Sequence, residues 1–146
     1  MELEFTDAEP GSALLDGPVR TLYRNLRPAL TDDSFTDFAR EAAGQGLVFT
    51  VGLSSGEAVG VAGHRVLATS RGRVLFVDDL VTGPALRGGG FGAALFGELE
   101  RRARAAGCVR IELDSGVVNR GAHRFYHRQR MSVAAFHFAY ELPAAG

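Results

Sequence analysis

The chain has 146 residues, of which 46% are apolar and 23% are charged, and its formal net charge is −1. This length and balance predict one compact domain spanning 1–146, with enough core to fold without disulfides. They exclude disordered, fibrous and disulfide-stapled classes, and the near-neutral charge argues against nucleic acid as the main partner.

Two residue types limit the available chemistry. All sixteen basic residues are Arg, which excludes Schiff-base mechanisms and the P-loop, because both need Lys. Cys108 is the only cysteine, so neither an intramolecular disulfide nor a cysteine metal cluster can form. A reducing, cytoplasmic compartment is expected. No stretch approaches the roughly 20 apolar residues that span a bilayer, so no membrane partner is expected. No metal is expected either.

The N-terminal third predicts two short helices. Residues 7–18 are typical of a loop, because they are rich in Gly, Pro and Asp. Apolar residues then recur at i, i+3, i+4 and i+7 over 19–26, with Pro18 placed to begin a helix. The same spacing returns over 35–42, after an N-cap at Thr31. An N-terminal strand over 2–5 is an alternative prediction for the start of the chain.

From residue 47 the pattern becomes β-rich. Short turns separate three predicted strands, which cover 47–53, 58–68 and 73–82. Turns of this length indicate an antiparallel meander.

A long amphipathic helix is predicted over 90–106. It carries Glu98 four residues before Arg102, and Glu100 four residues before Arg104. Pairs in this order stabilise a helix, so its arginines are predicted to form a solvated face and not a binding patch.

The C-terminal third predicts a strand, a helix and a strand, over 108–113, 119–129 and 133–142. The strand–helix–strand order places the first of these strands parallel to strand 73–82, through a right-handed crossover. Aromatic and aliphatic residues alternate along 133–142, which predicts a half-buried strand. The full order is ααβββαβαβ, an α/β (α+β) fold with a mixed central sheet.

The glycine-rich start of the long helix is the most informative segment. Between Gly88 and Gly92, four of five positions are Gly, and each costs about 1 kcal/mol relative to Ala in a helix. Bare amides at a helix N-terminus, with the helix dipole behind them, bind phosphate well. The spacing therefore predicts a phosphate-binding turn.

A dinucleotide site is the alternative for this turn. Gly88-x-Gly90-x-x-Ala93 matches the dinucleotide fingerprint, and Glu112 or Asp114 lies near the place of a ribose-binding acid. In that fold, however, the glycines directly follow the first strand of a parallel sheet. Here other residues intervene after an antiparallel meander, so a nicotinamide-dependent oxidoreductase is disfavoured.

Two motifs resemble the GCN5-related N-acetyltransferases, the GNAT family. The first is Arg87-Gly88-Gly89-Gly90-Phe91-Gly92, just after the strand end Leu80-Val81-Thr82. The second is Asn119-x-x-Ala122-x-x-Phe125-Tyr126, one strand and one loop later. The similarity covers about 47–142. It implies an acyl-CoA N-acyltransferase-like fold with an acetyl-CoA-binding core over 47–142 and a helical acceptor-side region over 1–46.

The resemblance also implies how acetyl-CoA, the co-substrate, would bind. Backbone amides of the glycine turn would hold the pyrophosphate, the strand end would run along the pantetheine arm, and Asn119 would lie near the thioester. The implied cofactor-binding residues are Leu80, Val81, Thr82, Arg87, Gly88, Gly89, Gly90, Phe91, Gly92, Ala93 and Asn119. The chain departs from the family at Arg130-Met131, where Gly-Phe is usual.

An amine acceptor must lose a proton before it attacks, and an alkylammonium of pKa about 10.4 is almost entirely charged at pH 7. A carboxylate or a water that it holds can assist. The candidates are Asp78, Asp79, Glu112 and Asp114. Strict strand alternation puts Asp78 and Asp79 on opposite faces. The resemblance favours Asp78, which shares strand parity with the positions at which relatives often carry a catalytic Glu or His. Glu112 is second, since some relatives place their base there.

The leaving CoA thiolate needs a proton or a hydrogen bond. A phenol, with a pKa near 10, can donate to a thiolate of pKa near 8.5 while staying protonated at neutral pH. Tyr126, in the second motif, is the predicted donor. His64 is a further residue that could face the acceptor cleft.

The predicted activity is acetyl-CoA-dependent N-acetyl transfer to a primary amine by direct attack. A small-molecule acceptor is favoured, and Arg24 and Arg27 could hold an anionic tail such as a carboxylate or phosphonate. A protein N-terminus or side chain is the alternative acceptor, and a non-catalytic acyl-CoA-binding module is the alternative class. A homodimer is a family-level expectation. The motifs do not specify the acceptor or the base.

Overall fold

The computed structural model of the chain describes residues 2–83 and 90–145. It divides into two compact units, Met1–Leu113 and Asp114–Gly146. How these units combine into one domain stays a prediction.

The first unit is built on a five-stranded sheet whose spatial order follows the chain, β1-β2-β3-β4-β5. Its strands are β1 Glu4–Ala8, β2 Val48–Ser54, β3 Glu57–Thr69, β4 Gly72–Thr82 and β5 Arg110–Leu113. The first four strands pair antiparallel, and β4 pairs parallel with β5. The mixed sheet, its meander and the parallel pair are confirmed, and the optional N-terminal strand is present.

Three helices belong to this unit: α1 Arg20–Leu26, α2 Asp32–Gly44 and α3 Phe91–Ala105. The predicted cap of α2 is confirmed, because Thr31 accepts a hydrogen bond from the Ser34 amide and Ser34 Oγ accepts one from the Thr31 amide. Such a reciprocal box satisfies two amides that a helix start leaves unpaired.

The prediction of a loop over 7–18 is wrong at both ends. β1 includes Asp7 and Ala8, and a π-helical turn at Leu15–Val19 leads directly into α1. The side chains of Leu15 and Val19 are fully buried. The free energy gained by burying these two side chains outweighs the preference of Gly and Pro in this segment for turns.

The sheet carries a separate core on each face. On the face covered by α1 and α2, the α1 face, the core includes Leu15, Val19, Tyr23, Phe35, Phe49, Val51, Val61 and Val81. On the face covered by α3, the α3 face, it includes Ala62, Leu75, Val77, Phe91, Leu95 and Leu99. The two faces therefore present different chemical surroundings to the same strands.

A β-bulge interrupts the pairing of β3 with β4. Gly63 is opposite Asp79 and His64 is opposite Val77, so Asp78 has no partner position on β3. A bulge of this kind places two consecutive residues of one strand against one residue of the other and changes the side-chain alternation.

The bulge corrects the prediction that Asp78 and Asp79 face opposite ways. Val77 and Leu80 both pack against the α3-face core, which strict alternation over three residues would not allow. The two aspartates between them therefore both face α1. The sequence pattern does not reveal this, because a bulge depends on the pairing of two strands.

The second unit contains one helix, α4 Arg120–Arg128. The predicted strand over 133–142 is wrong: residues 131–145 form neither helix nor strand. Its alternating side chains, among them Phe136, Phe138 and Tyr140, are exposed. Alternation specifies which side chains would share a face, whereas a strand also needs a neighbour for its backbone hydrogen bonds.

No helix within 2–83 and 90–145 is long and apolar enough to cross a membrane.

Candidate active site

The N-terminus of α3 offers bare backbone. Its N-cap, Gly90, has φ +78°, a left-handed conformation that favours glycine, and it supplies no capping side chain. Ala94 is the first amide bonded back to the Gly90 carbonyl, so the amides of Phe91, Gly92 and Ala93 have no acceptor within the helix. Such a terminus suits an anion such as a diphosphate. Arg87, Gly88 and Gly89 lie outside the described residues.

Phe91 anchors this helix start to the sheet. Its ring lies over Gly52 and Gly60, which are paired across β2 and β3. A Cβ on Gly52 would lie 2.5 Å from the Phe91 ring, and one on Gly60 would overlap it and lie 2.9 Å from the Val81 carbonyl oxygen. Because neither glycine has a side chain, the Phe91 ring packs directly on the backbone of β2 and β3. This contact sets the distance between the start of α3 and the sheet.

The C-terminal half of β4 has one open edge. Residues 74–77 pair with β5, and the pairing ends at Val77 opposite Leu113. Beyond that point, Leu80, Val81 and Thr82 pair only with β3 among the described residues of this unit. Unpaired backbone groups on a strand edge can receive an extended, hydrogen-bonding ligand.

Asp78, the favoured base, is tied to an arginine. Arg65 donates from Nε to Oδ1 at 3.1 Å and from Nη2 to Oδ2 at 2.8 Å. Both side chains are half-buried. A bidentate arginine pair stabilises the carboxylate, which makes Asp78 a weaker proton acceptor.

Asp79 has different surroundings. Its side chain is only 14% exposed, and within 2–83 and 90–145 its one ion pair is a long contact of 3.5 Å from Arg27 Nη2, whose side chain is 66% exposed. Burial raises the pKa of Asp79, and the Arg27 charge opposes that rise. Asp79 is therefore the less well paired of the two carboxylates.

The Tyr23 hydroxyl lies beside Asp79. Tyr23 is 2% exposed, and its hydroxyl is the buried side-chain polar atom that lacks a hydrogen-bond partner in the described part of the chain. It occupies the place that a Cβ on Gly63 would need. Burial, followed by the charge of Asp79, raises the pKa of Tyr23 well above its usual value.

Glu112 and Asp114 are both paired. Glu112 contacts Arg71 at 2.9 Å and Arg110 at 3.4 Å. In the second unit, Asp114 lies 3.1 Å from His137 Nδ1, and both side chains are exposed. Neither carboxylate shows the burial that marks Asp79.

The second motif forms the start and the middle of α4. Asn119 caps the helix, because its side-chain oxygen accepts a hydrogen bond from the Ala122 amide at 3.4 Å. Tyr126 packs edge-on against Phe125 and is half-buried, and burial raises its pKa. The phenol thus stays protonated at neutral pH, as a proton donor must.

His64 does not face the α1 side, which corrects the expectation that it could line the acceptor cleft. It is 4% exposed and lies on the α3 face, where its Nε2 is 2.8 Å from Thr50 Oγ1. The Thr50 hydroxyl donates to Asp7, so it accepts its second hydrogen bond from His64. Burial lowers the pKa of His64 to about 4.

The part of the chain that the structure describes contains no group of three or more His, Cys, Asp or Glu side chains placed to hold a metal ion. Sequence reasoning missed Tyr23, Arg65 and the Gly52–Gly60 pair. Tyr23 lies in a helical apolar stripe, a pattern that predicts a core residue, and a glycine pair across two strands has no local signal.

Comparison with known proteins identifies the family. Residues 15–130 match the family model described as the Acetyltransferase (GNAT) family. The aminoalkylphosphonate N-acetyltransferase of Salmonella typhimurium is 31% identical over 119 residues, which are 77% of this chain and 75% of that protein. The chain belongs to the GNAT family.

Solved structures agree on the fold. The aminoglycoside N-acetyltransferase AAC(6')-Iy in complex with CoA superposes with a TM-score of 0.83 at 16% identity, covering 97% of this chain and 95% of the other. An acetyltransferase of Trypanosoma brucei superposes with a TM-score of 0.75 at 26% identity, covering 97% and 100%. The predicted family, fold class and enzyme class, an N-acetyltransferase with acetyl-CoA as co-substrate, are confirmed.

Proposed function

We propose that this GNAT enzyme transfers the acetyl group of acetyl-CoA to a primary amine of a small molecule by direct attack. The observation that carries the proposal is the arrangement around the end of β4. A bare helix N-terminus, an open strand edge and a pair of carboxylates on the α1 face follow one another along β4 and α3.

The cofactor would use backbone groups on both sides of the undescribed segment. The amides of Phe91, Gly92 and Ala93, which have no acceptor within α3, suit the diphosphate, with Arg87, Gly88, Gly89 and Gly90 proposed to complete the turn. The open edge at Leu80, Val81 and Thr82 suits the pantetheine amides. Asn119 is proposed to lie near the thioester, since its cap uses the side-chain oxygen and leaves the amide nitrogen available.

Acetyl-CoA supplies an acetyl group activated as a thioester. The chain must bring the amine close, accept its proton and protonate sulfur. The sequence-based base candidates are Asp78 and Glu112, and the proton donor is Tyr126. No covalent acetyl-enzyme is required.

The acceptor class follows from the relative and from charge. The Salmonella relative is named for aminoalkylphosphonates, which carry both an amine and an anion. Arg27 is exposed next to the carboxylates, whereas Arg24 is bonded to Asp32 and to the Leu30 carbonyl. We therefore propose small amines, with an aminoalkylphosphonate as first choice. Cytoplasmic location and a homodimer stay predictions.

A thiol-release screen tests the function. The enzyme and acetyl-CoA are incubated with an aminoalkylphosphonate, plain alkylamines, polyamines, amino acids and peptides, and free CoA thiol is measured. Thiol release with a small amine supports the proposal. Release with peptides alone would assign a protein acceptor, and no release despite calorimetric binding of acetyl-CoA would assign a non-catalytic module.

Two variants test the site residues. Tyr126→Phe should lower kcat by about 100-fold and leave acetyl-CoA affinity unchanged, and unchanged kcat would remove the proposed role of Tyr126. Gly92→Val should weaken acetyl-CoA binding in calorimetry, because a side chain there blocks approach to the helix amides. A wild-type affinity in this variant would contradict the diphosphate site.

A further inference from the structure

Three carboxylates face α1, and two of them are already paired at short range. Arg65 binds both oxygens of Asp78, and Arg71 binds Glu112 at 2.9 Å. An incoming ammonium group would have to compete with a guanidinium at either position. A carboxylate that is already satisfied gains little from a second cation.

Asp79 is the exception, because its carboxylate is buried and poorly paired. Its single contact with Arg27 is at the limit of hydrogen bonding, 3.5 Å, and Arg27 itself points into solvent. Arg27 directly follows α1, and the bulge opposite Gly63 turns Asp79 toward that helix. A buried carboxylate with so little compensation costs folding free energy.

The Tyr23 hydroxyl is a second sign of a ligand site. Its oxygen is buried and has no hydrogen-bond partner at ordinary distance among the described residues, and a buried hydroxyl in that state is less stable than a satisfied one. Tyr23 packs among Phe35, Phe38 and Phe49, with its hydroxyl close enough to Asp79 for the two groups to influence each other's pKa. The hydroxyl and the Asp79 carboxylate therefore present one donor and one acceptor, side by side.

We propose that Asp79, and not Asp78, binds the acceptor amine, that the Tyr23 hydroxyl completes this amine site, and that Arg27 binds an anionic group of the same acceptor. The acceptor class is then a short amine whose nitrogen and anion are separated by only a few bonds. Such a molecule would place its two charges against Asp79 and Arg27, which already lie next to each other. The inference rests on the proposed acetyl transfer.

The proton balance is simple. Asp79 accepts one proton from the ammonium group, the nitrogen lone pair then forms the bond to the acetyl carbon, and the carbon–sulfur bond breaks. The thiolate takes a proton from the proposed donor Tyr126. After attack the nitrogen releases its second proton to solvent and becomes an amide, Tyr126 regains a proton from solvent, and Asp79 releases its own, so that one proton in total leaves per turnover. The raised pKa of Asp79 brings it closer to that of an amine and so favours this transfer.

Asp79→Asn is the first test, with kcat/KM measured on an aminoalkylphosphonate and on an alkylamine of the same length without the anion. We expect a loss of about 100-fold or more on both acceptors, with acetyl-CoA affinity unchanged in calorimetry. Asp78→Asn should cost less than Asp79→Asn, and Asp37→Asn, on the exposed side of α2, should act as wild type.

Arg27→Gln separates the two charges of the acceptor. It should lower kcat/KM about tenfold or more on the aminoalkylphosphonate, through KM, and leave the plain alkylamine unchanged. An equal effect on both acceptors would overturn the role of Arg27. Tyr23→Phe should reduce kcat/KM about tenfold on both acceptors while the melting temperature stays the same or rises, because the lost hydroxyl has no hydrogen-bond partner among the described residues. An unchanged kcat/KM on both acceptors would remove Tyr23 from the amine site.

Different results would reject the proposed function and the assignment of Asp79. If the wild type acetylates no amine, the proposed function fails. If the wild type is active and Asp79→Asn retains kcat/KM within about threefold, only the assignment of Asp79 fails. Misfolding of Asp79→Asn is not expected, because a buried carboxyl with a raised pKa opposes folding above its unfolded pKa and Asn removes that cost. A lower melting temperature in this variant would assign Asp79 a structural role and overturn the proposal.

Discussion

Two clusters of polar residues lie on opposite faces of the same strands, β3 and β4, and they differ in how completely they are paired. On the α3 face, His64 bonds Thr50, and Thr50 bonds Asp7. Asp7 in turn pairs with Arg102 at 2.8 Å, and Arg102 pairs with Glu98. Each polar member of this chain of contacts has a partner.

The α1-face cluster is incomplete by comparison. Asp79 has one long ion pair, and the Tyr23 hydroxyl has no partner in the described part of the chain. Each cluster combines buried groups with an exposed one, Asp7 at 44% on the α3 face and Arg27 at 66% on the α1 face, so burial alone does not distinguish a structural network from a ligand site. The completeness of pairing does distinguish them. Buried polar groups in folded proteins are nearly always hydrogen-bonded, so a buried group without a partner points to a bound ligand or a functional role.

The largest effect is expected from Gly60→Val on the α3 face. The new side chain would overlap the Phe91 ring and displace the start of α3. We expect a loss of about 3 kcal/mol or more in the free energy of unfolding, measured by denaturant titration, and weaker acetyl-CoA binding. Gly97→Ala, in the interior of α3 with open space around it, is the matched control and should be neutral or stabilising. Equal stability of Gly60→Val and wild type would show that this contact does not position the helix.

The next largest effect is a dependence of the free energy of unfolding on pH, which comes from His64. Its folded pKa of about 4 lies below the unfolded value of 6.5, so the unfolded chain binds the proton first as pH falls. Wild type should therefore lose roughly 3 kcal/mol between pH 6.5 and pH 4 from this group, against the opposing charges of Asp7 and Glu98. His64→Gln should be less stable than wild type near pH 7, and the difference should shrink toward pH 4. A constant difference across that range would mean that His64 titrates normally.

The smallest effects compare two arginines of α3. Arg102 is mostly buried between Asp7 and Glu98, whereas Arg104 makes one exposed 3.5 Å contact with Glu100. Arg102→Ala should lower the free energy of unfolding by about 1–3 kcal/mol, and Arg104→Ala should change it by less than about 0.5 kcal/mol. Thermal unfolding of both variants checks this ranking, and equal losses would mean that the α3-face network contributes no more than a surface pair.

Much of the fold could be predicted from local signals. The cap at Thr31, the period of α3 and the short turns of the meander each reside in a few neighbouring residues, and the structure has them within one or two residues of prediction. The strand over 133–142 was wrong because a strand requires a pairing partner that alternation does not supply.

The site was predictable to the extent that it uses backbone. The glycine turn and the strand end carry a spacing that can be recognised in sequence. The arrangement of carboxylates was not predictable, because it depends on the bulge opposite Gly63 and on which acids find an arginine. Arg65 and Asp78 are distant in sequence and meet only when β3 pairs with β4.

The comparison of the two faces is tested most directly by adding an aminoalkylphosphonate to isotope-labelled protein saturated with CoA and following its NMR signals. We expect the chemical-shift changes to concentrate at Asp79, Tyr23 and the Arg27 side chain, while the signals of Thr50 and His64 on the opposite face stay unchanged. Shifts centred on Thr50 and His64, with Asp79 and Arg27 unmoved, would contradict it.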